Sequence, residues 1–219
     1  MNFLELSQVA YPAETYANTL RGLREGIASA DDAIKGIPFL DTPVGGDYRG
    51  LVRRAGIFHR TKDMCKAGDL PFRAEFSPMP RGTWHWLDIW SGDVHAHIVR
   101  TEEADAFPDD TPNRQDQRAL NIRDLFEDER VVRLESVKLY AWLCYGATPN
   151  GALTHALWQA PSAKVDGKID EWLARMNLLN TVVLKKSEDP KRPAKIDPKT
   201  RMKLRDQAEK IRKQKKDEE

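Results

Sequence analysis

The segment Trp84-His85-Trp86-Leu87-Asp88-Ile89-Trp90-Ser91-Gly92-Asp93-Val94-His95-Ala96-His97-Ile98-Val99 gathers the side chains best equipped for chemistry. It holds three of the five histidines and three of the six tryptophans. Two alternating runs around Ser91-Gly92 predict a β-hairpin with a two-residue turn, which sets Asp88 opposite His95 and Trp86 opposite His97. Because side chains alternate along a strand, Trp84, Trp86, Asp88, Trp90, His95 and His97 are expected on one face. His85, Leu87, Ile89, Val94, Ala96 and Ile98 take the other face, toward the core. Two imidazoles two residues apart on a strand point the same way. With Asp88 as third ligand they can share one divalent metal ion. Trp84, Trp86 and Trp90 are residues of the kind that anchor a macromolecular contact.

His95-Ala96-His97 followed by Ile98-Val99 resembles the paired-histidine motif of HUH-type nucleases. That resemblance implies a metal held by the histidines to polarise a phosphodiester, and a tyrosine to attack it. Tyr140 and Tyr145 are the downstream tyrosines, although the family's Tyr-x-x-Lys pattern is absent, since Ala141, Trp142 and Leu143 follow Tyr140. The same pair is similar to the first cupin motif, with Glu102 beyond it. Pro149-x-Gly151 ahead of His155 resembles the second cupin motif, with one residue too many before the histidine. Arg54-Ala55-Gly56-Ile57-Phe58-His59 has the Arg-x4-His spacing of HEPN-type ribonucleases. Five positions on a helix set two side chains about 140° apart, so Arg54 and His59 are not expected to adjoin.

Charge is distributed unevenly. Residues 185–219 carry 14 Lys/Arg against 8 Asp/Glu, whereas residues 1–184 carry 21 against 26. A mildly acidic body with a basic tail points to a polyanionic partner or an acidic protein for the tail, through Lys185, Lys186, Arg212, Lys213, Lys215 and Lys216. Two cysteines, Cys65 and Cys144, are too few for a disulfide framework and lack metal-knuckle spacing, so reduced thiols and a cytoplasmic location are expected. No secretory leader pattern is visible at Met1–Glu5, and no apolar run reaches bilayer-spanning length, so no membrane partner is expected. The chain has no Gly-rich phosphate loop, no Gly-x-Gly-x-x-Gly and no Gly-x-Ser-x-Gly.

Several elements must position these groups. Tyr16, Leu20, Leu23, Ile27, Ala30 and Ile34 recur at helical spacing, opened by Pro12 and closed by Gly36 and Pro38. A second helix is expected to bury Tyr48, Leu51, Val52, Ala55 and Phe58. Phe72–Phe76 reads as a short strand, 102–118 as a long exposed loop and 119–127 as a short helix. Lys138–Tyr145 and Ala152–Gln159 form a second hairpin around Thr148-Pro149-Asn150-Gly151, with Trp142 facing Trp158 and Tyr145 facing His155. Ile169, Trp172, Leu173 and Met176 suggest a short amphipathic helix. The expected class is α+β: an N-terminal helical hairpin on a mainly antiparallel sheet within residues 1–184, followed by a charged tail, 185–219.

Two functions fit these residues. The first is a non-catalytic interaction module that binds a protein partner, or a second copy of itself, through the Trp/His/Asp face, with the tail contacting nucleic acid. The alternative is a metal-dependent phosphodiesterase or nuclease. It would use a divalent metal on Asp88, His95 and His97, with Tyr145 or His155 assisting catalysis.

Overall fold

In the computed structural model the described residues are 3–109, 111–121, 139–163 and 171–181. The six tail residues named above, Lys185 to Lys216, and positions 122–127 of the expected short helix lie outside them. Helices α1 (Phe3–Ala10) and α2 (Tyr16–Gly36) lead into a one-turn α3 (Pro43–Gly46) and then α4 (Arg49–Ala67). Six strands follow: β1 (Arg73–Pro78), β2 (His85–Ser91), β3 (Val94–Arg100), β4 (Leu139–Ala147), β5 (Leu153–Pro161) and β6 (Trp172–Asn177). Helix α5 (Pro112–Arg118) lies between β3 and β4, and the short α6 (Leu178–Thr181) follows β6. Among the described residues, no helix is long and apolar enough to cross a membrane.

The stripe on α2 is buried throughout, from Tyr16 to Ile34. On α4 the outcome differs from expectation. Its buried side is Arg53, Ile57, Phe58, Thr61 and Met64, while Tyr48 and Leu51 are exposed. The cause is a close crossing of the two helices at Gly26 and Gly56, which turns the Ile57 side of α4 toward α2. A Cβ on Gly26 would stand 2.5 Å from the Ile57 Cα, and one on Gly56 would stand 2.4 Å from the Gly26 carbonyl oxygen. Gly68 ends α4 with φ of +81°, the left-handed cap that glycine accepts without a Cβ penalty.

Arg53 ties this helical pair to the sheet. It forks onto both Asp31 oxygens at 2.7 Å and donates to the carbonyls of Thr148 (3.0 Å) and Pro149 (2.7 Å) in the β4–β5 turn. Removing one partner of a buried pair strands the other, so Arg53→Ala is expected to lower unfolding free energy by about 3 kcal/mol in a urea titration. A change under about 0.5 kcal/mol, the range of an ordinary surface substitution, would show that the fork contributes nothing net.

The strands form one sheet in the order β1-β2-β3-β4-β5-β6, antiparallel except for the central β3–β4 pair, which is parallel. The parallel pair needs a crossover, and residues 101–138 supply it. Helices and sheet share one core in which Tyr11 stacks on Trp158 at 3.8 Å, with Phe72 edge-on to both. Val99, Tyr140, Trp142 and Cys144 form a smaller apolar cluster, in which Trp172 packs.

Four expectations about this sheet are corrected. The first hairpin turns at Gly92-Asp93, with Gly92 at φ +55°, and pairs Trp90 with His95. The pairing slides by two positions, an even number, so every side chain keeps its face. The second hairpin slips by one, an odd number. Trp142 pairs with Gln159, Trp158 with Leu143, and His155 with Gly146, which sends Trp142 and Trp158 to opposite faces. Trp172–Asn177 is a strand rather than a helix, because Ala174 and Met176 alternate onto the core beside β5. Finally, the 102–118 segment, expected to be a long exposed loop, contains α5 and packs on the second face of the sheet. Phe107 stacks on Trp172 at 4.2 Å, and Ala104 accepts from Gln159 and Arg175. The buried Asn121 amide spans the Tyr140 backbone and the Pro161 carbonyl.

Candidate metal centre and adjoining cavity

The second face of the sheet carries the groups singled out on the first hairpin. Asp88 on β2 and His95 and His97 on β3 converge there, with one ligand atom from each within 4.8 Å of the others. His95 Nε2 and His97 Nε2 both stand 2.7 Å from the same oxygen, Asp88 Oδ1. On its other edge, His97 Nδ1 lies 2.6 Å from the Tyr140 hydroxyl. With Asp88 ionised, both Nε2 atoms carry protons and donate to it. The Tyr140 hydroxyl then donates to the free Nδ1 of His97.

Burial sets the electrostatics. His97 is 4 % exposed and Asp88 6 %. Burial alone pushes the Asp88 carboxyl up, but hydrogen bonds from His95, His97 and Ser77 overcome it and hold the group below the usual carboxylate range. Burial lowers His97 from 6.5 to about 4, against the pull of Asp88, so its ring is neutral at pH 7. Burial likewise pushes the Tyr140 hydroxyl well up, leaving it a proton donor rather than a phenolate. Neutral imidazoles and an ionised carboxylate are the states that ligate a divalent ion.

The tryptophans divide by role. Trp86, 7 % exposed, stacks on His97 with centroids 4.1 Å apart, and Trp90 stacks on His95 at 5.2 Å under the Arg73 guanidinium. These rings fix the imidazole planes. Trp84, 55 % exposed, has no such duty. The open Trp/His/Asp face expected from alternation is therefore closed at Trp86, Asp88 and His97.

His155 lies elsewhere. Tyr145 belongs to the core on the helix side of the sheet and also lines the cavity that His97 and Tyr140 share. His155 is two strands from His97 and hydrogen-bonds to Thr101 (2.8 Å) and Thr154 (3.0 Å). It packs so closely on Gly146 that a Cβ there would come within 2.2 Å of its ring. Tyr140 is the tyrosine that meets the histidines, because the parallel pairing sets His95 beside Tyr140. Its place on the odd–even pattern of β4 was readable, but not which strand lies beside β3. Arg54 and His59 do not act together: His59 is exposed and pairs with Asp63 on its own helix.

A cavity of about 620 Å³ adjoins the cluster, with Trp86, His97 and Tyr140 in its wall. Four arginines also line it, Arg54, Arg81, Arg100 and Arg114, drawn from four separate segments. Comparison with protein-family models, with curated proteins and with solved structures finds no match to this chain.

Proposed function

We propose that Asp88, His95 and His97 hold a divalent metal ion and that the protein is a metal-dependent phosphodiesterase. The convergence of three ligand atoms from adjacent strands within 4.8 Å carries this reading. Three protein ligands leave coordination positions open, the arrangement that lets a bound metal polarise a phosphoryl oxygen and acidify a water. Tyr140 is a positioning residue here. A metal held by His97 Nε2 would require the ring proton on Nδ1, where the Tyr140 oxygen, 2.6 Å away, would accept it and fix the ring.

Trp86 and Trp90 stack directly on the two ligands, so their fluorescence reports on occupancy. Titrating zinc, manganese and cobalt into the full chain is expected to change emission saturably. The His95→Ala/His97→Ala variant is expected to lose that change together with metal-stimulated hydrolysis of bis-p-nitrophenyl phosphate. Identical responses from the two proteins would remove the metal centre. Saturable binding without hydrolysis would remove the enzyme.

The reading as an interaction module comes second, since Trp84 and the rim of Trp90 are what remain reachable of its face. Cytoplasmic location and sequence-independent nucleic-acid contact by residues 185–219 belong to the same proposal and are supported by composition alone.

A further inference from the structure

Among the described residues, the four arginines of the cavity face almost no opposing charge. Asp47 is the one carboxylate among the described residues of its lining, and only Arg81 of the four has a carboxylate partner among them, Asp116 at 3.3 Å. Arg54 spends one N–H on the His85 carbonyl (2.8 Å), and Arg114 donates to the Asp109 carbonyl. A guanidinium has five donors in a fixed fork, so single carbonyl bonds leave most of each fork unfilled. Arg54 and Arg114 are half-buried, whereas Arg81 and Arg100 stand exposed at the rim. Grouping like charges around a concavity costs free energy that an anion in the middle recovers.

The shape narrows the anion. Bidentate guanidinium forks match the oxygens of phosphate. About 620 Å³ exceeds what an inorganic ion fills and lies within the range of small organic ligands. Leu51, Met79 and Trp86 supply apolar wall on which a flat ring can rest, and the Phe58 ring underlies the Arg54 guanidinium at 4.9 Å. We infer that this cavity binds a nucleotide-sized phosphomonoester or phosphodiester, its phosphate between Arg54 and Arg114 and its base against the apolar wall. The site needs no metal, although through His97 it shares a wall with the proposed centre and would present the phosphate to it. Burial and the neighbouring Arg114 guanidinium both depress Arg54.

Calorimetry on the full chain in EDTA separates this inference from the metal reading. Adenosine 5′-monophosphate and pyrophosphate are the probes, with adenosine as the uncharged control. Both anions are expected to bind at millimolar concentration or below, more weakly as salt rises, and adenosine at least about tenfold more weakly than its monophosphate. Arg54→Gln and Arg114→Gln are each expected to weaken the monophosphate by about tenfold or more, with partial rescue by lysine. Arg21→Ala, which breaks an exposed pair with Asp69, is expected to leave it unchanged. Arg114 lies on the short α5, so its variant stands as the test should Arg54→Gln fail to fold. Absence of binding by both anions, adenosine binding equal to its monophosphate, or undiminished binding in Arg114→Gln would overturn the inference. Monophosphate binding in a protein that ignores zinc would remove only the metal centre.

Discussion

Alanine at Gly26 is expected to destabilise the protein by about 2 kcal/mol or more, while alanine at Gly36, on the same helix, is expected to stabilise it by up to about 1 kcal/mol. Intrinsic helix propensity favours alanine at both positions, in full at Gly26 in the helix interior and less at Gly36, the last residue of α2. The surroundings reverse the sign at one of them. A Cβ on Gly26 meets the Ile57 backbone at 2.5 Å and the Gly56 carbonyl oxygen at 2.9 Å, none of which is a flexible side-chain end that can swing away. The helices must then separate along a contact that sets the Ile57 side of α4 against α2 and places Arg54 beside the cavity. At Gly36 a Cβ meets nothing within 4 Å. Urea midpoints of the two variants check this. Movement of both in the same direction would show that the crossing tolerates a methyl group and that propensity decides.

Acidification of the metal-free protein has the other large effect. The His97 pKa is about 4 in the folded chain, against 6.5 for the unperturbed side chain. Between those values the unfolded chain binds more protons than the folded one, so stability rises with pH across this window and falls as the solution is acidified. From pH 7 to pH 5 the loss is about 2 kcal/mol, and about 3 kcal/mol once pH 4 is reached. His155, also depressed by burial, acts in the same direction. Asp88 acts elsewhere. Its depressed pKa adds stability that is present above the ordinary carboxylate range and lost only at more acid pH. Chemical denaturation at several pH values in EDTA measures the slope, which His97→Gln is expected to flatten. An unchanged slope in that variant would mean that His97 is solvated and protonates freely.

The two effects mark different depths of legibility. The α2 stripe was readable because burial on a single helix repeats with the helix's own period, and Tyr16 to Ile34 are all buried. Gly26 was not, since its meaning comes from Ile57 and Gly56 on another helix. Trp172, Leu173 and Met176 suit a helical stripe as well as an alternating strand, and only the exposed edge of β5 resolved them into β6. The acidic, proline-bearing 102–118 segment reads as solvated, yet Phe107 and the Ala104 carbonyl find partners on the sheet.

For the site, residue order alone determined that Asp88, His95 and His97 share a face. Alternation is a local property of extended chain, and it survived a turn displaced by one residue because the pairing moved by an even number. The tertiary structure decided what surrounds them. Tyr140 arrives through a parallel pairing that spans the 101–138 crossover, and Arg54, Arg81, Arg100 and Arg114 come from four segments whose meeting depends on packing of the whole domain. Strand periodicity carries information over a few residues, whereas the chemistry of a pocket depends on which distant segments close it.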